Sequence, residues 1–167
     1  MIRKCMEQDI GVIFEIINDA AQAYKGVIPA DRWHEPYMSQ EQLKQEIDAG
    51  VSFWGFEKDG NLVGVMGIQD KGEVTLIRHS YVRKQSWNRG IGTILLQFLE
   101  SITDKPILIG TWSDATWAIA FYEKNSYQLV STEEKNHLLR KFWTIPERQI
   151  ETSVVLVGSS WVKKEES

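Results

Sequence analysis

Apolar residues recur three or four positions apart in the first part of the chain, the spacing of amphipathic helices. The first predicted helix follows Asp9, a favourable N-cap residue. The second follows Ser39 and Gln42, which fit a capping box, and ends at Gly50. The apolar faces of these two helices carry Ile10, Ile13, Ile17, Ala20 and Tyr24, then Leu43 and Ile47.

The same spacing predicts two further helices in the middle of the chain. One begins at Gly90, and the other is capped by Ser113 or Asp114 and ends near Asn125-Ser126. Their apolar faces carry Ile91, Ile94, Leu95, Phe98 and Leu99, then Trp117, Ala118, Phe121 and Tyr122.

Short apolar runs bounded by turn residues predict strands elsewhere. Val51–Lys58 and Leu62–Ile68 flank Asp59-Gly60-Asn61, a strong hairpin signal, and Glu73–Val82 continues the meander. Pro106–Trp112 follows a strand–helix crossover, so we expect it to lie parallel to Glu73–Val82. Three more strands are predicted at Ile2–Met6, Leu138–Thr144 and Ile150–Val157.

Strands mixed with helices, antiparallel early and parallel in the middle, indicate an α/β or α+β fold. The chain has 167 residues and shows no linker, repeat or low-complexity tract, so residues 1–167 are predicted to form a single domain. The polar segment Val162–Ser167 is expected to fray.

Composition narrows the function classes. A net charge of −4 argues against a nucleic-acid surface. Cys5 is the only cysteine, which excludes an internal disulfide, and no cluster of ligands suggests a metal. Nothing resembles a signal peptide or a membrane span, so we expect a cytoplasmic protein without a membrane partner.

The most informative stretch is Gly90-Ile91-Gly92, which opens a helix directly after a strand and a basic turn. Free N–H groups and the positive end of the dipole make such a helix start a natural phosphate site. A dinucleotide fold would need a third glycine where Leu95 stands, and the P-loop pattern is absent. Two interpretations of this stretch remain: it binds the pyrophosphate of coenzyme A, or its glycines serve helix packing alone.

The surrounding pattern resembles the GNAT family of acyl-CoA N-acyltransferases. Its signature is a hydrophobic strand ending in Val, a loop, and [QR]-x-x-G-x-[GA] at a helix start. Val82 and the run Arg89–Thr93 stand at the family's separation, and Ala118 with Tyr122 and Lys124 matches its A-x-x-x-Y-x-K segment.

Three positions depart from the family pattern. Trp87 occupies the Q/R position of the turn, Ala115 replaces a capping Asn, and Ser126-Tyr127 replaces Gly before an aromatic residue. None of these departures removes a catalytic atom, since main chain holds the pyrophosphate. Trp87 does put in question any side-chain contact from its position.

The resemblance implies a mixed, mostly antiparallel sheet of about six to seven strands flanked by about four helices. It also implies an enzyme that transfers the acetyl group of acetyl-CoA to a primary amine of a small molecule by direct attack, without a metal. The alternatives are an acyl-CoA-binding sensor or interaction module, or a protein or peptide N-acetyltransferase. Homodimers occur in the family, so a homodimer is allowed.

Site residues follow from the resemblance. The main chain around Ser80, Tyr81 and Val82 would supply a donor to the oxyanion. Tyr122 would protonate the departing thiolate, with an ordinary tyrosine at the core edge as the alternative. The predicted coenzyme A contacts are Ser80, Tyr81, Val82, Trp87, Asn88, Arg89, Gly90, Ile91, Gly92 and Thr93.

The acceptor side is less defined. Alternation along Glu73–Val82 places Arg78 and His79 on opposite faces unless a bulge intervenes. The family's base is a carboxylate, and none is evident here beyond Glu73, so His79 becomes the candidate base, against a buried, hydrogen-bonded histidine. Arg78 would bind an acceptor's carboxylate, or form an ordinary ion pair. Acceptor contacts are also predicted in the loop Lys25–Tyr37, at Trp33, His34 and Tyr37.

Overall fold

The structure, a computed structural model, describes residues 1–161, and the predicted frayed segment 162–167 lies outside them. The strands are β1 (Ile2–Lys4), β2 (Ser52–Lys58), β3 (Asn61–Asp70), β4 (Thr75–Val82), β5 (Ile107–Trp112), β6 (Gln128–Leu129) and β7 (Ser153–Val157). The helices are α1 (Ile10–Ala20), α2 (Gln40–Asp48), α3 (Ile91–Ser101), α4 (Thr116–Lys124), α5 (Thr132–Phe142) and α6 (Glu147–Glu151).

The strands form one open sheet in the order β1-β2-β3-β4-β5-β7-β6. All neighbouring pairs are antiparallel except β4 and β5, which are joined through α3 and are parallel. The mixed, mostly antiparallel sheet of the predicted fold class is therefore confirmed, as is the parallel pairing of the two central strands.

Helices cover both faces of the sheet. On one face α3 and α4 pack over Ile77 and Ile109, and on the other α1 and α2 pack over Phe53 and Val65. Farther along that second face, α5 and α6 pack over Leu76 and neighbouring residues of β5 and β7. Adjacent residues Leu76 and Ile77 thus point to opposite faces, as the period of a strand requires.

Two elements near the carboxyl end differ from the sequence prediction. Leu138–Thr144, predicted as a strand, belongs mostly to α5, and Ile150 lies in α6 rather than in β7. Ser131 caps α5 by accepting a hydrogen bond from Glu134 N, and the buried residues of α5 have helical spacing. They are Lys135, Leu138, Leu139 and Phe142. The helical period becomes visible when the polar residues before Leu138 are considered together with Leu138–Thr144.

The start of α4 also differs from the prediction. Neither Ser113 nor Asp114 caps it, because the N-cap position is Ala115 and no side chain bonds to the first turn. Ser113 instead donates its hydroxyl to the Thr152 carbonyl, 3.0 Å away. With α5 and α6, the described residues hold two α-helices beyond the four predicted. Within residues 1–161, no helix combines the length and apolarity that crossing a membrane requires.

Candidate active site

The site is organised around a bulge in β4. Gly67 pairs with Arg78 and Val65 pairs with Tyr81, so β4 places two residues, His79 and Ser80, opposite the single residue Met66. His79 has φ +55°, a left-handed conformation that only a few per cent of non-glycine residues adopt. The extra residue returns Tyr81 to the face of Arg78, which is the swap that a bulge predicts.

The same strand separates from β5 at the bulge. Pairing between β4 and β5 covers Thr75, Leu76 and Ile77 and then stops. From Arg78 to Val82 the edge of β4 that faces β5 has no ladder partner, while its other edge still pairs with β3. Backbone N–H and C=O groups are therefore available inside the wedge between the two strands.

The start of α3 lies at the mouth of this wedge. Gly90 is the N-cap residue with φ +77°, and no side chain caps the first turn. The first intrahelical bond runs from Ile94 N to Gly90 O at 3.0 Å, which leaves the N–H groups of Ile91, Gly92 and Thr93 without an intrahelical acceptor. The helix dipole adds partial positive charge at the same place, which favours an anion.

Glycine is required at positions 90 and 92 for different structural reasons. A Cβ on Gly90 would meet nothing within 4 Å, so the requirement there is the left-handed backbone. A Cβ on Gly92 would lie 3.2 Å from the Phe121 ring, so Gly92 allows α3 and α4 to pack closely. The packing role therefore applies to Gly92 alone, and Gly90 shapes the open turn.

A cavity of about 870 Å³ fills the wedge and extends to the start of α3. Every predicted coenzyme A contact except Arg89 lines it, and so do Tyr122 and His79. Lys124, the last residue of α4, adds a cation to the lining. Its walls also include Ala20, Ala23, Tyr24, Gly110, Thr111, Trp117, Ala118 and Phe121.

Trp87 occupies the wedge mouth from an exposed position. Its indole N–H donates to the Val82 carbonyl at 2.6 Å, and the residue is 41% exposed. This side chain therefore satisfies a backbone acceptor of the unpaired strand edge, a contact that an incoming ligand would have to accept or replace.

Tyr122 is buried on α4 with its hydroxyl beside Ser80, and both residues line the cavity. Burial raises the pKa of Tyr122 to about 12, although the hydrogen bond with Ser80 lowers it somewhat. A phenol in this state remains protonated at neutral pH and can act as a proton donor.

Arg78 and His79 both reach a carboxylate that the sequence prediction missed. His79 Nε2 lies 2.5 Å from Glu46 Oε2, and Arg78 Nη2 donates to Glu46 Oε1 at 3.3 Å. Arg78 also donates to Gln69 Oε1 at 3.3 Å, and it does not line the cavity. Glu46 stands three residues after Leu43 and one before Ile47, so helical spacing already places it at the edge of the buried face of α2.

The charge of Glu46 is favoured by these partners. Burial raises the pKa of Glu46, but the close contact with His79 and the charge of Arg78 outweigh burial, so its pKa lies below the usual value. The carboxylate is thus ionised at neutral pH.

Three tyrosine hydroxyls meet on the same side of β4. Tyr81 shares hydrogen bonds with Tyr24 and Tyr37, and Trp112 Nε1 donates to the Tyr37 hydroxyl at 2.7 Å. Burial raises the pKa of all three tyrosines, which keeps them neutral. Trp117 stacks on Tyr24 with ring centroids 5.9 Å apart.

The loop predicted to contact an acceptor is fixed at several points. Trp33 stacks on Tyr37 at 5.9 Å, and Asp31 accepts two hydrogen bonds from Arg148 of α6, at 2.9 and 3.2 Å. His34 is exposed. Trp33, His34 and Tyr37 do not line the cavity, although Tyr37 touches its wall through Tyr24 and Tyr81.

A family model matches most of the chain. The model described as the acetyltransferase (GNAT) family matches residues 13–127, well over half of the chain. Among curated proteins, the UPF0157 protein YqkA of Bacillus subtilis (strain 168) is 27% identical over 128 residues. That match takes in 74% of this chain and 37% of the relative, so the chain spans little more than a third of the relative's length.

Solved structures share the fold along nearly the whole chain. The PaiA N-acetyltransferase from Thermoplasma acidophilum, in complex with coenzyme A, has a TM-score of 0.72 and 19% identity, covering 95% of this chain and 97% of that one. A GNAT acetyltransferase from Elizabethkingia anophelis with acetyl-CoA bound has a TM-score of 0.65 and 18% identity, covering 95% and 96%. The ribosomal-protein-S18-alanine N-acetyltransferase from Escherichia coli has a TM-score of 0.66 and 12% identity, covering 95% and 92%.

Proposed function

The chain belongs to the GNAT acetyltransferase family, and on that premise we propose that it transfers the acetyl group of acetyl-CoA to a primary amine of a small molecule by direct attack. The observation that carries the proposal is one cavity that joins the uncapped start of α3, the unpaired edge of β4 and the hydroxyl of Tyr122. Anion binding, carbonyl contact and proton donation are therefore available within one space.

The residues present suit coenzyme A. Its pyrophosphate would be held by the free N–H groups of Ile91, Gly92 and Thr93, with Lys124 adding positive charge to the lining. Its pantetheine arm carries amides, and the unpaired edge of β4 offers backbone partners for them. Bound acetyl-CoA supplies a thioester whose carbonyl carbon an amine can attack.

The side chains divide the proton transfers. The amine nitrogen gains one bond to carbon and loses one proton, while the sulfur loses its bond to carbon and gains one proton. We assign proton acceptance to His79 and proton donation to Tyr122, because these two titratable groups line the cavity at the bulge. A backbone N–H in the segment Ser80–Val82 would donate to the carbonyl oxygen.

The fixed loop supports a small acceptor over a polypeptide. Asp31 and Arg148 tie the loop to α6, and Trp33, Tyr37 and Trp112 pack it against β5. A loop held at several points is less able to move aside for an extended peptide. Acetylation of a protein remains the alternative, because the E. coli neighbour is described as acting on a ribosomal protein.

The test is thiol release from acetyl-CoA with a panel of amines and amino-terminal peptides, run beside calorimetric binding of coenzyme A. We expect turnover with small amines and little with peptides. Binding without turnover on any acceptor would overturn the enzyme proposal in favour of a sensor, and turnover confined to peptides would overturn the small-molecule acceptor.

One finer proposal accompanies this function. We propose that residues 1–167 act as one domain, because a single sheet joins Ile2 to Val157. A cytoplasmic location and a homodimer stay predictions from the sequence.

A further inference from the structure

We propose that Glu46 of α2 is a positioning residue: it fixes His79 in the tautomer whose free nitrogen accepts the proton of the attacking amine. The proposal rests on the proposed function and adds a residue outside the cavity lining. It follows from the geometry of one contact and from the strain at the residue that makes it.

The contact assigns a proton. An ionised carboxylate is only an acceptor, so a histidine nitrogen 2.5 Å from Glu46 Oε2 must carry hydrogen. That nitrogen is Nε2. Both it and Glu46 Oε2 are buried, and within residues 1–161 neither has a partner that meets hydrogen-bond geometry, so this close ion-pair contact is the one available to each atom. A neutral imidazole with hydrogen on Nε2 has its lone pair on Nδ1, which makes no hydrogen bond to the described part of the chain.

The bulge places this imidazole at the cavity wall. His79 has a left-handed backbone, which is strained for a non-glycine residue, and it lines the cavity beside Ser80. Its ring also stacks on Phe53 of β2, with centroids 6.0 Å apart and planes at 29°. Phe53 fixes the plane of the ring and Glu46 fixes one nitrogen, so the orientation of Nδ1 is determined from two sides.

The charged and titratable groups around the pair come from three elements. Glu46 lies on α2, Arg78 on β4 binds its other oxygen, and Tyr37 in the loop is neutral. Gln69 of β3 holds Arg78 from the far side. When His79 takes the amine proton, the new positive charge forms next to the carboxylate, with Arg78 already paired to the same group.

The step balances in atoms and charge. The amine nitrogen bonds to the acetyl carbon and gives one proton to Nδ1 of His79. The carbon–sulfur bond breaks, and the sulfur takes one proton from the Tyr122 hydroxyl. His79 then releases its proton to solvent, and Tyr122 regains one.

The first test needs no variant and no substrate. Long-range ¹H–¹⁵N spectra of the full chain report which nitrogen of neutral His79 carries hydrogen. We expect the Nε2–H form, and a neutral His79 with hydrogen on Nδ1 would overturn the proposal even if the protein proves to be an acetyltransferase.

The second test compares Glu46→Gln with Glu41→Gln, the same chemical change at an exposed position of the same helix. In Glu46→Gln we expect kcat to fall about 10- to 100-fold while the KM for acetyl-CoA changes less than about twofold. The fraction of neutral His79 with hydrogen on Nε2 should also fall in the same spectra, because a carboxamide can face the ring with either an acceptor or a donor. Glu41→Gln should leave all three unchanged.

Two outcomes separate the possible failures. A His79 tautomer that does not change in Glu46→Gln would show that the contact does not select it, and this proposal would fail while turnover persists. Absence of turnover in the unaltered chain, with the Nε2–H tautomer present, would instead remove the proposed function and leave the contact intact.

Discussion

The two halves of the cavity are built in opposite ways. The half at the start of α3 comes from one contiguous stretch, Trp87–Thr93, and offers main-chain N–H groups. The half at the bulge is lined by side chains such as His79 of β4, which residues outside the lining hold in place, such as Glu46 of α2 and Tyr37 of the loop before α2. Substitutions in the first half should matter through backbone shape, and those in the second through the identity of individual atoms.

The largest effect is expected at His79. In His79→Asn we expect kcat to fall about 10²- to 10⁴-fold, the usual contribution of a general base. Asn tolerates a positive φ, so the bulge should persist and coenzyme A should bind as before. Steady-state thiol release and calorimetry measure the two quantities, with His137→Gln on the exposed face of α5 as the control. If coenzyme A affinity fell as much as kcat, His79 would contribute to coenzyme A binding, and the proposed division between the two halves would be wrong.

Tyr122→Phe should lower kcat about 10- to 100-fold with little change in coenzyme A affinity. Because burial raises the pKa of Tyr122 to about 12, its proton is lost only as the pH rises through about 12. The ratio of wild-type to variant kcat should therefore be constant from about pH 6 to pH 10. Tyr127→Phe is the control, since Tyr127 bonds to Glu100 outside this cavity. A ratio that collapses within that range would exclude Tyr122 as the acid.

Gly90→Val should weaken coenzyme A binding about 5- to 30-fold, because a left-handed residue with a Cβ loses about 1–2 kcal/mol. Gly90→Asn should retain most of the affinity, since Asn accepts this conformation and the space around Gly90 is open. Calorimetric titration with coenzyme A measures both. Equal losses in the two variants would show that side-chain bulk, and not backbone shape, decides binding in this half.

The smallest effect is expected at the loop. Arg148→Gln removes both hydrogen bonds to Asp31, a solvent-exposed pair. We expect the KM of the acceptor to rise about two- to threefold, with kcat and coenzyme A affinity unchanged, because exposed ion pairs contribute little. Thiol release, measured with the acceptor that gives the highest turnover, reports this KM. A changed affinity for coenzyme A would contradict this prediction, because it would show that the loop affects the half of the cavity at the start of α3 and not the acceptor half.

The contrast also explains what could be predicted from the sequence. The start of α3 was predicted because Gly90 precedes a run of apolar residues at helical spacing, and an open helix start depends on local backbone. The meander and the parallel strand were predicted for the same reason, since their turns and periods are local. The separate role of Gly92, against Phe121, depends on how α3 meets α4 and has no local signal.

Candidate residues of the acceptor half were predicted, but Glu46 and the contacts among these residues were not, because the contacts join distant parts of the chain. Glu46 and His79 are separated by 33 positions in the sequence, and only the packing of α2 on β4 brings them together. The bulge itself was considered, but nothing in the residue types of β4 fixes its position. The strand predicted at Leu138–Thr144 failed for a simpler reason, since the window omitted the polar first turn of α5.

The one additional residue in β4 lowers the stability of the fold and keeps the cavity open. Deleting Ser80, which keeps the His79 partner of Glu46, would restore an uninterrupted antiparallel register with β3 and allow further pairing with β5. Such a shortened chain would gain ladder hydrogen bonds and lose the strained backbone, so it should melt at a higher temperature while its cavity closes. Consensus or thermostability screens that reward only the melting temperature would therefore favour loss of this one residue, and with it loss of the enzyme's activity.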